Sequence, residues 1–370
     1  MLVVASSCKS GNPAPGHPSG ALVEEPFEWS SQEREWLDGR TTADFQALML
    51  HLDDAPMSDH KAGALRRELA TWPDEHRVAP LEWAMRIADG EAVDMIEFAR
   101  VLSFRRQMMG RAGLKSLVEQ ATFRQVLASD SMIGLDLSAN RLDDASVVAL
   151  AESPSVSSLT YLDLADNDCS REAARAIGRS PHLRRLTHLN LSNNAILARG
   201  VEALARSKYS SSLEYLGLAE NYIGDRGAEH LAASENLGGL RHLELSANGI
   251  EADGVVALAN ATHIGPLRHL GLGCGSKTDW GESAGARAIS ALASASFMPN
   301  LRHLDISLNH IDKPGLRAVM RATENLEQLD LSVNRIAPDE LAGRIGTTFP
   351  DKPRFTRVFA RYRRKGSRLS

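Results

Sequence analysis

The sequence has few cysteines, few aromatic residues and no long apolar run. Its three cysteines, Cys8, Cys169 and Cys274, show no CxxC spacing among 370 residues, which argues against a disulfide framework or a cysteine-based zinc site. Aromatic residues make up only 5% of the chain. No stretch approaches the roughly 18 apolar residues of a membrane span, so no transmembrane segment is predicted. The formal net charge of -5 gives no global reason to expect nucleic-acid binding.

The first residues predict disorder rather than a targeting signal. Residues 6–25 are rich in Gly, Pro and Ser, so we expect residues 1–29 to be disordered. The segment Ala5-Ser-Ser-Cys8 is similar to a bacterial lipoprotein cleavage box, but no basic segment precedes it and the apolar run is too short. We therefore expect a cytoplasmic protein. The alternative, a secreted effector or a lipid-anchored protein, applies if the true start lies upstream of Met1.

The strongest pattern in the chain is LxxLxLxxN, which occurs eight times with small variations. Complete copies run from Leu159 to Asn167 and from Leu186 to Asn194. The asparagine positions are 140, 167, 194, 221, 248, 275, 309 and 334, which gives five steps of 27 residues followed by steps of 34 and 25. Gly275 replaces the asparagine in the sixth copy. This regularity predicts a repeat array over residues 131–346.

The chemistry of the pattern predicts one short strand and one helix in each copy. Leu189 and Leu191 alternate, so both point to one face of a strand. A strand this short buries its leucines only when parallel copies stack. Asn194 then turns the chain and satisfies unpaired backbone groups, and its equivalents should form a ladder. The remainder of each copy has apolar residues at helical spacing, as in Val201, Leu204 and Ala205.

A strand and a helix in every 27 residues resembles the ribonuclease-inhibitor type of leucine-rich repeat. The resemblance implies an α/β solenoid shaped as a horseshoe, with a parallel sheet on the concave face and helices on the convex face. It also implies protein binding, so we expect a monomeric, non-enzymatic module that binds a protein partner.

Two other functions stay open. One is regulation of an enzyme, because Ran GTPase-activating proteins and bacterial ubiquitin ligases carry similar repeats. The loop arginine and asparagine of the activating proteins have no match here, and the last repeat leaves about 25 residues, too few for a ligase domain. The other is a surface-anchored lipoprotein adhesin.

Residues 30–130 are expected to form a helical cap or domain before the array. Pro56, Pro73 and Gly90 separate the apolar segments. Helices are predicted over Thr42–Leu50, Ala64–Trp72, Pro80–Ile87, Met95–Leu102 and Leu114–Leu127. A cap that covers the exposed end of a solenoid is the favoured interpretation, and a separate functional domain is the alternative.

The third and fifth positions of the pattern point away from the core and supply the candidate binding residues. The third positions form a column of rings: Tyr161, His188, Tyr215, His242, His269 and His303. The fifth positions include five carboxylates, of which Asp163, Glu244 and Asp305 are the candidate binding residues. Tyrosine is enriched at protein interfaces, so we expect these two columns to contact the partner. We also expect partner binding to change between pH 7 and pH 5.5, where histidine titrates.

The same histidines raise the question of a metal. Parallel strands lie roughly 4.8 Å apart, so His242, His269 and His303 should stack, and Glu244 or Asp305 nearby could complete a zinc site. The simpler interpretation is an exposed column that was copied with the repeat. We favour that interpretation and therefore predict no metal, no cofactor and no catalytic residue.

Two irregular segments complete the sequence. The 34-residue step inserts the loop from Gly273 to Gly285, whose Trp280 is a candidate interface anchor, although it could equally fold back on a neighbouring repeat. Residues 347–370 are expected to form a C-terminal cap and a basic tail. From Arg354 onward this tail has seven basic residues and no acidic ones. Contact with nucleic acid or an anionic membrane is the alternative for the tail.

Overall fold

The computed structural model describes residues 27–53, 57–264, 266–273, 282–309, 311, 317–319, 325–331 and 334. Almost all of the segment predicted to be disordered, residues 1–29, lies outside these ranges. So do Cys8, Cys274, the candidate anchor Trp280, and the whole of the predicted C-terminal cap and tail at 347–370.

The strands form one parallel sheet in which spatial order follows chain order. Each strand has three residues, and the first residue of one pairs with the first residue of the next. The strands are β1 Val101–Ser103, β2 Gly134–Asp136, β3 Tyr161–Asp163, β4 His188–Asn190, β5 Tyr215–Gly217, β6 His242–Glu244, β7 His269–Gly271, β8 His303–Asp305 and β9 Gln328–Asp330. This arrangement confirms the predicted α/β solenoid.

A helix follows the strand in the repeats that the structure describes most completely. These helices are α7 Asp144–Glu152, α8 Arg171–Arg179, α9 Leu197–Ala205, α10 Gly224–Ala232, α11 Ala252–Ala259 and α12 Glu282–Ala293. Consecutive helices pack side by side. Between helix and sheet, the two leucines of each strand motif are buried, as Leu189 and Leu191 show, so the repeats share one apolar core.

The N-terminal segment is helical, as predicted. Its helices are α1 Ser31–Gly39, α2 Thr42–Asp53, α3 Asp59–Leu69, α4 Leu81–Ala88, α5 Gly110–Glu119 and α6 Ala121–Ala128. The predicted helix Leu114–Leu127 is two helices, because Gln120 between them is extended. Phe45 and Trp83 are fully buried in a core that is continuous with that of the repeats. The apolar core therefore extends from the N-terminal helices into the repeats.

The prediction of a helix over Met95–Leu102 is wrong for its second half. A short 3-10 helix covers Asp94–Phe98, and the chain then enters β1, which pairs with β2 and gives the sheet nine strands. Leu102 and Phe104 are buried where the repeat has its two leucines, and Leu102 is in register with Leu135. Spacings of three and four residues among apolar side chains concealed this strand, which has the burial pattern of a further, degenerate repeat.

The predicted asparagine ladder is confirmed across the described repeats. Asn194 donates from its amide nitrogen to the carbonyls of Leu164 and Leu191, and its oxygen accepts from the N–H of Cys169. Similar bonds tie other repeats to their neighbours, and Asn140 accepts from the N–H of Gln107 beyond β1. Each asparagine therefore satisfies backbone groups in two adjacent units. Among the described residues, no helix is long and apolar enough to cross a membrane.

Candidate functional site

Six aromatic and imidazole rings form a continuous stack on the exposed face of the sheet. We call this stack the ring ladder: Tyr161, His188, Tyr215, His242, His269 and His303. Ring centroids are 3.8 Å apart for His188 and Tyr215, with planes 10° from parallel. The rings come together because the third position of the pattern is the first residue of each strand. Neighbouring strands pair without offset, so these first residues lie side by side.

The ladder is closely stacked except at its C-terminal end. His242 and His269 have centroids 3.7 Å apart and planes only 6° from parallel. His303 instead meets His269 edge-on, at 5.6 Å and 63°, and its Nε2 lies 3.9 Å from the carboxylate of Glu327. The predicted stacking of three histidines is therefore confirmed for the first pair, whereas the second pair makes an edge contact.

Stacking removes water from the ring faces, and this lowers the basicity of the histidines. Burial lowers the pKa of His188 to about 4. Burial also lowers the pKa of His242 to about 4, with a further contribution from the neighbouring His269 and a small opposing one from Glu244. Both rings are consequently neutral at pH 7. The pKa of His303 is lowered as well, chiefly by burial.

Beside the ladder, the fifth positions form a column of carboxylates and small or amide side chains. Asp163 accepts from the Nδ2 of Asn190 at 3.1 Å and from the hydroxyl of Tyr161 at 3.4 Å. Burial raises the pKa of Asp163, and burial also raises that of Asp305. These carboxylates are thus partly desolvated, and additional hydrogen-bond donors would stabilise their charged form.

Glu244 is the carboxylate in closest contact with the ladder. Its Oε2 lies 3.3 Å from Nε2 of His269, while its Oε1 accepts from the N–H of Ser246 at 2.9 Å. A Cβ atom on Gly271 would collide with this carboxylate, so glycine is required for Glu244 to lie across the neighbouring strand. Burial opposes ionisation of Glu244, but the bonds from His269 and Ser246 outweigh it and lower the pKa.

This geometry gathers a set of groups that could hold a metal ion. Nitrogens of His242 and His269 and a carboxylate oxygen of Glu244 all lie within 4.8 Å of one another. Within the described ranges they form the one such group of three. Asp305, the other carboxylate considered from the sequence, instead accepts from the N–H of Ser307 at 2.9 Å.

The repeats match a known family. The family model for the leucine-rich repeat matches residues 182–205, 209–232, 240–259 and 297–320. The chain contains leucine-rich repeats. Every matched segment overlaps a helix or a strand of the array, so the match and the parallel sheet describe the same leucine-rich repeats. No curated protein matches the chain.

Sequence reasoning missed three features of the structure. It did not find β1, whose Ser103 hydroxyl donates to the carboxylate of Asp136 at 2.9 Å. It did not assign a role to Gly271, although glycine inside a strand signals a close approach. It also missed a cleft of about 590 Å³ on the opposite, helical side, whose lining includes Arg171, Arg175, Arg179, Arg199 and Arg206.

Proposed function

We propose that this leucine-rich-repeat protein is a non-enzymatic interaction module of the ribonuclease-inhibitor type, which binds a protein partner through the concave face of its sheet. The observation that carries the proposal is the ring ladder beside a column of partly desolvated carboxylates. Large rings and partly buried polar groups of this kind provide the anchors of protein interfaces.

The chemistry of the carboxylate column favours a basic segment of the partner. Asp163 and Asp305 have a raised pKa because burial deprives them of solvent. A guanidinium or ammonium group would restore the lost solvation and would form charge-assisted hydrogen bonds with them. Alkyl portions of the same long side chains could then pack along the ring edges.

The face is also rigid before any partner arrives. Each of the four inner rings lies between two others, and each strand is hydrogen-bonded on both sides from β2 to β8. Binding therefore freezes few side chains, which keeps the entropic cost of association low. Trp280, in the insertion loop, stays a candidate second anchor of this interface.

Affinity capture with matched variants tests the proposal. Asp163→Asn and Tyr215→Ala alter the exposed face of the sheet, whereas Arg175→Ala alters an exposed residue on the helical side. We expect a captured protein to be retained by wild type and Arg175→Ala and lost by both sheet-face variants. With the purified partner, Tyr215→Ala should weaken binding by about 2 kcal/mol, the usual loss at an interface anchor.

Thermal unfolding of each variant distinguishes a lost contact from a lost fold. Asp163→Asn keeps the shape of the side chain, so its unfolding temperature should stay close to that of wild type. The proposal is wrong if a folded Asp163→Asn and a folded Tyr215→Ala both bind the partner as tightly as wild type does.

A further inference from the structure

We propose that His242, Glu244 and His269 form a zinc site on the exposed face of the sheet. This reverses the expectation from sequence, which favoured a column without metal. The site does not rest on the proposed protein partner, because its ligands all belong to this chain. Two imidazoles and one carboxylate are a common set of three protein ligands for zinc, with the fourth position left for water.

The candidate ligand atoms lie near one another, and binding an ion requires them to move closer. The candidate ligand atoms lie within 4.8 Å of one another. Zinc bonds of about 2.0–2.1 Å in a tetrahedral site require ligand atoms roughly 3.3 Å apart. Side-chain rotations must close the difference, since the strands that carry the three residues are fixed in register, with His242 opposite His269 and Glu244 opposite Gly271.

The ring geometry specifies what must move. The planes of His242 and His269 are 6° from parallel, whereas a ligating nitrogen must direct the lone pair in its ring plane at the ion. The two rings must therefore rotate apart into a V that opens toward the metal. This rotation also changes the contact between His242 and Tyr215, whose ring centroids are 4.4 Å apart.

The surroundings of Glu244 prepare it as a ligand. The N–H of Ser246 holds one carboxylate oxygen, so the other is directed toward His269. Outer contacts of this kind orient metal ligands and strengthen binding. Gly271 provides the space in which the carboxylate lies.

The donor set favours zinc over the hard cations. Calcium and magnesium prefer six or more oxygen ligands, and this site offers one carboxylate beside two imidazoles. His303 lies beyond His269 in an edge contact, and Asp305 is bonded to Ser307. Neither belongs to the group of three.

Calorimetric titration of the full chain with zinc chloride, after treatment with a chelator, tests the site at pH 7.5. We expect one ion to bind per chain. His242→Ala, His269→Ala and Glu244→Gln should each weaken binding by more than the roughly 10- to 100-fold that loss of an outer contact costs. His188→Ala is the matched control, since His188 lies in the same ladder but has Asn190 rather than a carboxylate at the fifth position.

Two further measurements separate ligation from folding. His242→Cys supplies a different zinc ligand that cannot stack, so it should recover the binding that His242→Ala loses. In spectra of the bound protein, the ring protons of His242, His269 and Tyr215 should shift, while those of Tyr161 should not.

The proposal fails if wild type binds no stoichiometric zinc, or if the three variants bind zinc as wild type does. It also fails if His188→Ala loses as much affinity as His242→Ala. Thermal unfolding of every variant without metal provides the check on folding. Because no partner is present in the titration, its result is independent of the proposed protein interaction.

Discussion

The carboxylate of Glu244 occupies the space that a Cβ atom on Gly271 would fill. From that position it reaches the Nε2 of His269 on the same neighbouring strand. A residue without a side chain in β7 thus determines the direction of a carboxylate in β6. The contact between the two strands is consequently a property of both residues, and either can be changed to test it.

Gly271→Ala should displace Glu244 from His269. We expect zinc affinity to fall roughly 10- to 100-fold, as for loss of an outer contact, and stability to fall by about 1–3 kcal/mol from overpacking. Gly217→Ala is the control, because a Cβ there would meet the side-chain oxygen of Asn190 instead. Zinc titration and thermal unfolding measure the two effects. Equal zinc affinity in both variants would show that the position of Glu244 is irrelevant to the metal.

The histidines of the ladder should make the fold sensitive to acid. The pKa of His188 and that of His242 are about 4, below the ordinary value of 6.5, so the unfolded chain binds protons first as the pH falls. Stability should therefore be complete above pH 6.5 and decrease between pH 6.5 and pH 4. At pH 5 the expected loss is on the order of 1 kcal/mol for each histidine, allowing for their partial exposure.

Denaturant unfolding at pH 7.5, 6 and 5 without metal measures this loss. The double variant His188→Gln/His242→Gln should show a flatter profile than wild type. Asp163 and Asp305, with raised pKa values, act in the opposite direction at lower pH, which is why the comparison with the double variant is needed. Because both histidines stay neutral at pH 5.5, any effect of these two rings on partner binding should occur mainly below pH 5. An identical slope in wild type and the double variant would rule out the histidines as the cause.

Substitution of a ladder asparagine should lower the stability of the fold far more than substitution of an asparagine beside it. Asn194→Ala leaves the buried N–H of Cys169 without a partner, and it removes one of two hydrogen bonds from each of the carbonyls of Leu164 and Leu191, which keep those from Asn167 and Asn221. An unsatisfied buried group costs about 1–3 kcal/mol, so we expect a loss in that range. Chemical denaturation gives the value.

The control is the adjacent Asn193, which is exposed and bonded to Asp166. Its φ of 52° favours glycine as the replacement, so Asn193→Gly should change stability by less than about 0.5 kcal/mol. A small effect of Asn194→Ala would mean that water replaces the ladder bonds.

Strand β1, which sequence reasoning missed, should contribute as much to the stability of the fold as the other strands do. Leu102 is fully buried in register with Leu135, so Leu102→Ala should destabilise the fold by about 2–5 kcal/mol, as other buried leucines do. Arg105→Ala, at an exposed position just after the strand, should have little effect. If Leu102→Ala unfolds in a single cooperative transition at lower stability, residues 101–103 unfold together with the array. A separate early transition would instead assign them to an independent domain.

The regular part of this fold could be predicted from sequence because its physics is repeated. Leu189 and Leu191 recur every 27 residues, so one interpretation accounts for every copy and predicts the strands, the core and the asparagine bonds. β1 was not predicted because Ala99 and Gln107 occupy the positions where the pattern has leucine and asparagine. Its spacing to β2 also differs, since Val101 pairs with Gly134 33 residues later.

The site could be predicted only in part. The pattern placed the rings and carboxylates in two adjacent columns, and the structure shows the rings stacked as one ladder. It could not show that Glu244 turns toward His269 while Asp305 binds Ser307. Those orientations depend on side-chain rotations and on the free space above Gly271, which are properties of neighbouring strands rather than of one repeat.

The unshifted pairing of the strands has a consequence for how such a chain could lengthen or shorten. Because each strand meets the next in the same register, duplication or deletion of a complete unit would leave the contacts on either side unchanged. An insertion of one residue within a strand would turn its leucines outward. The surface offered to a partner would then grow by whole units, each adding one ring and roughly 4.8 Å of contact length.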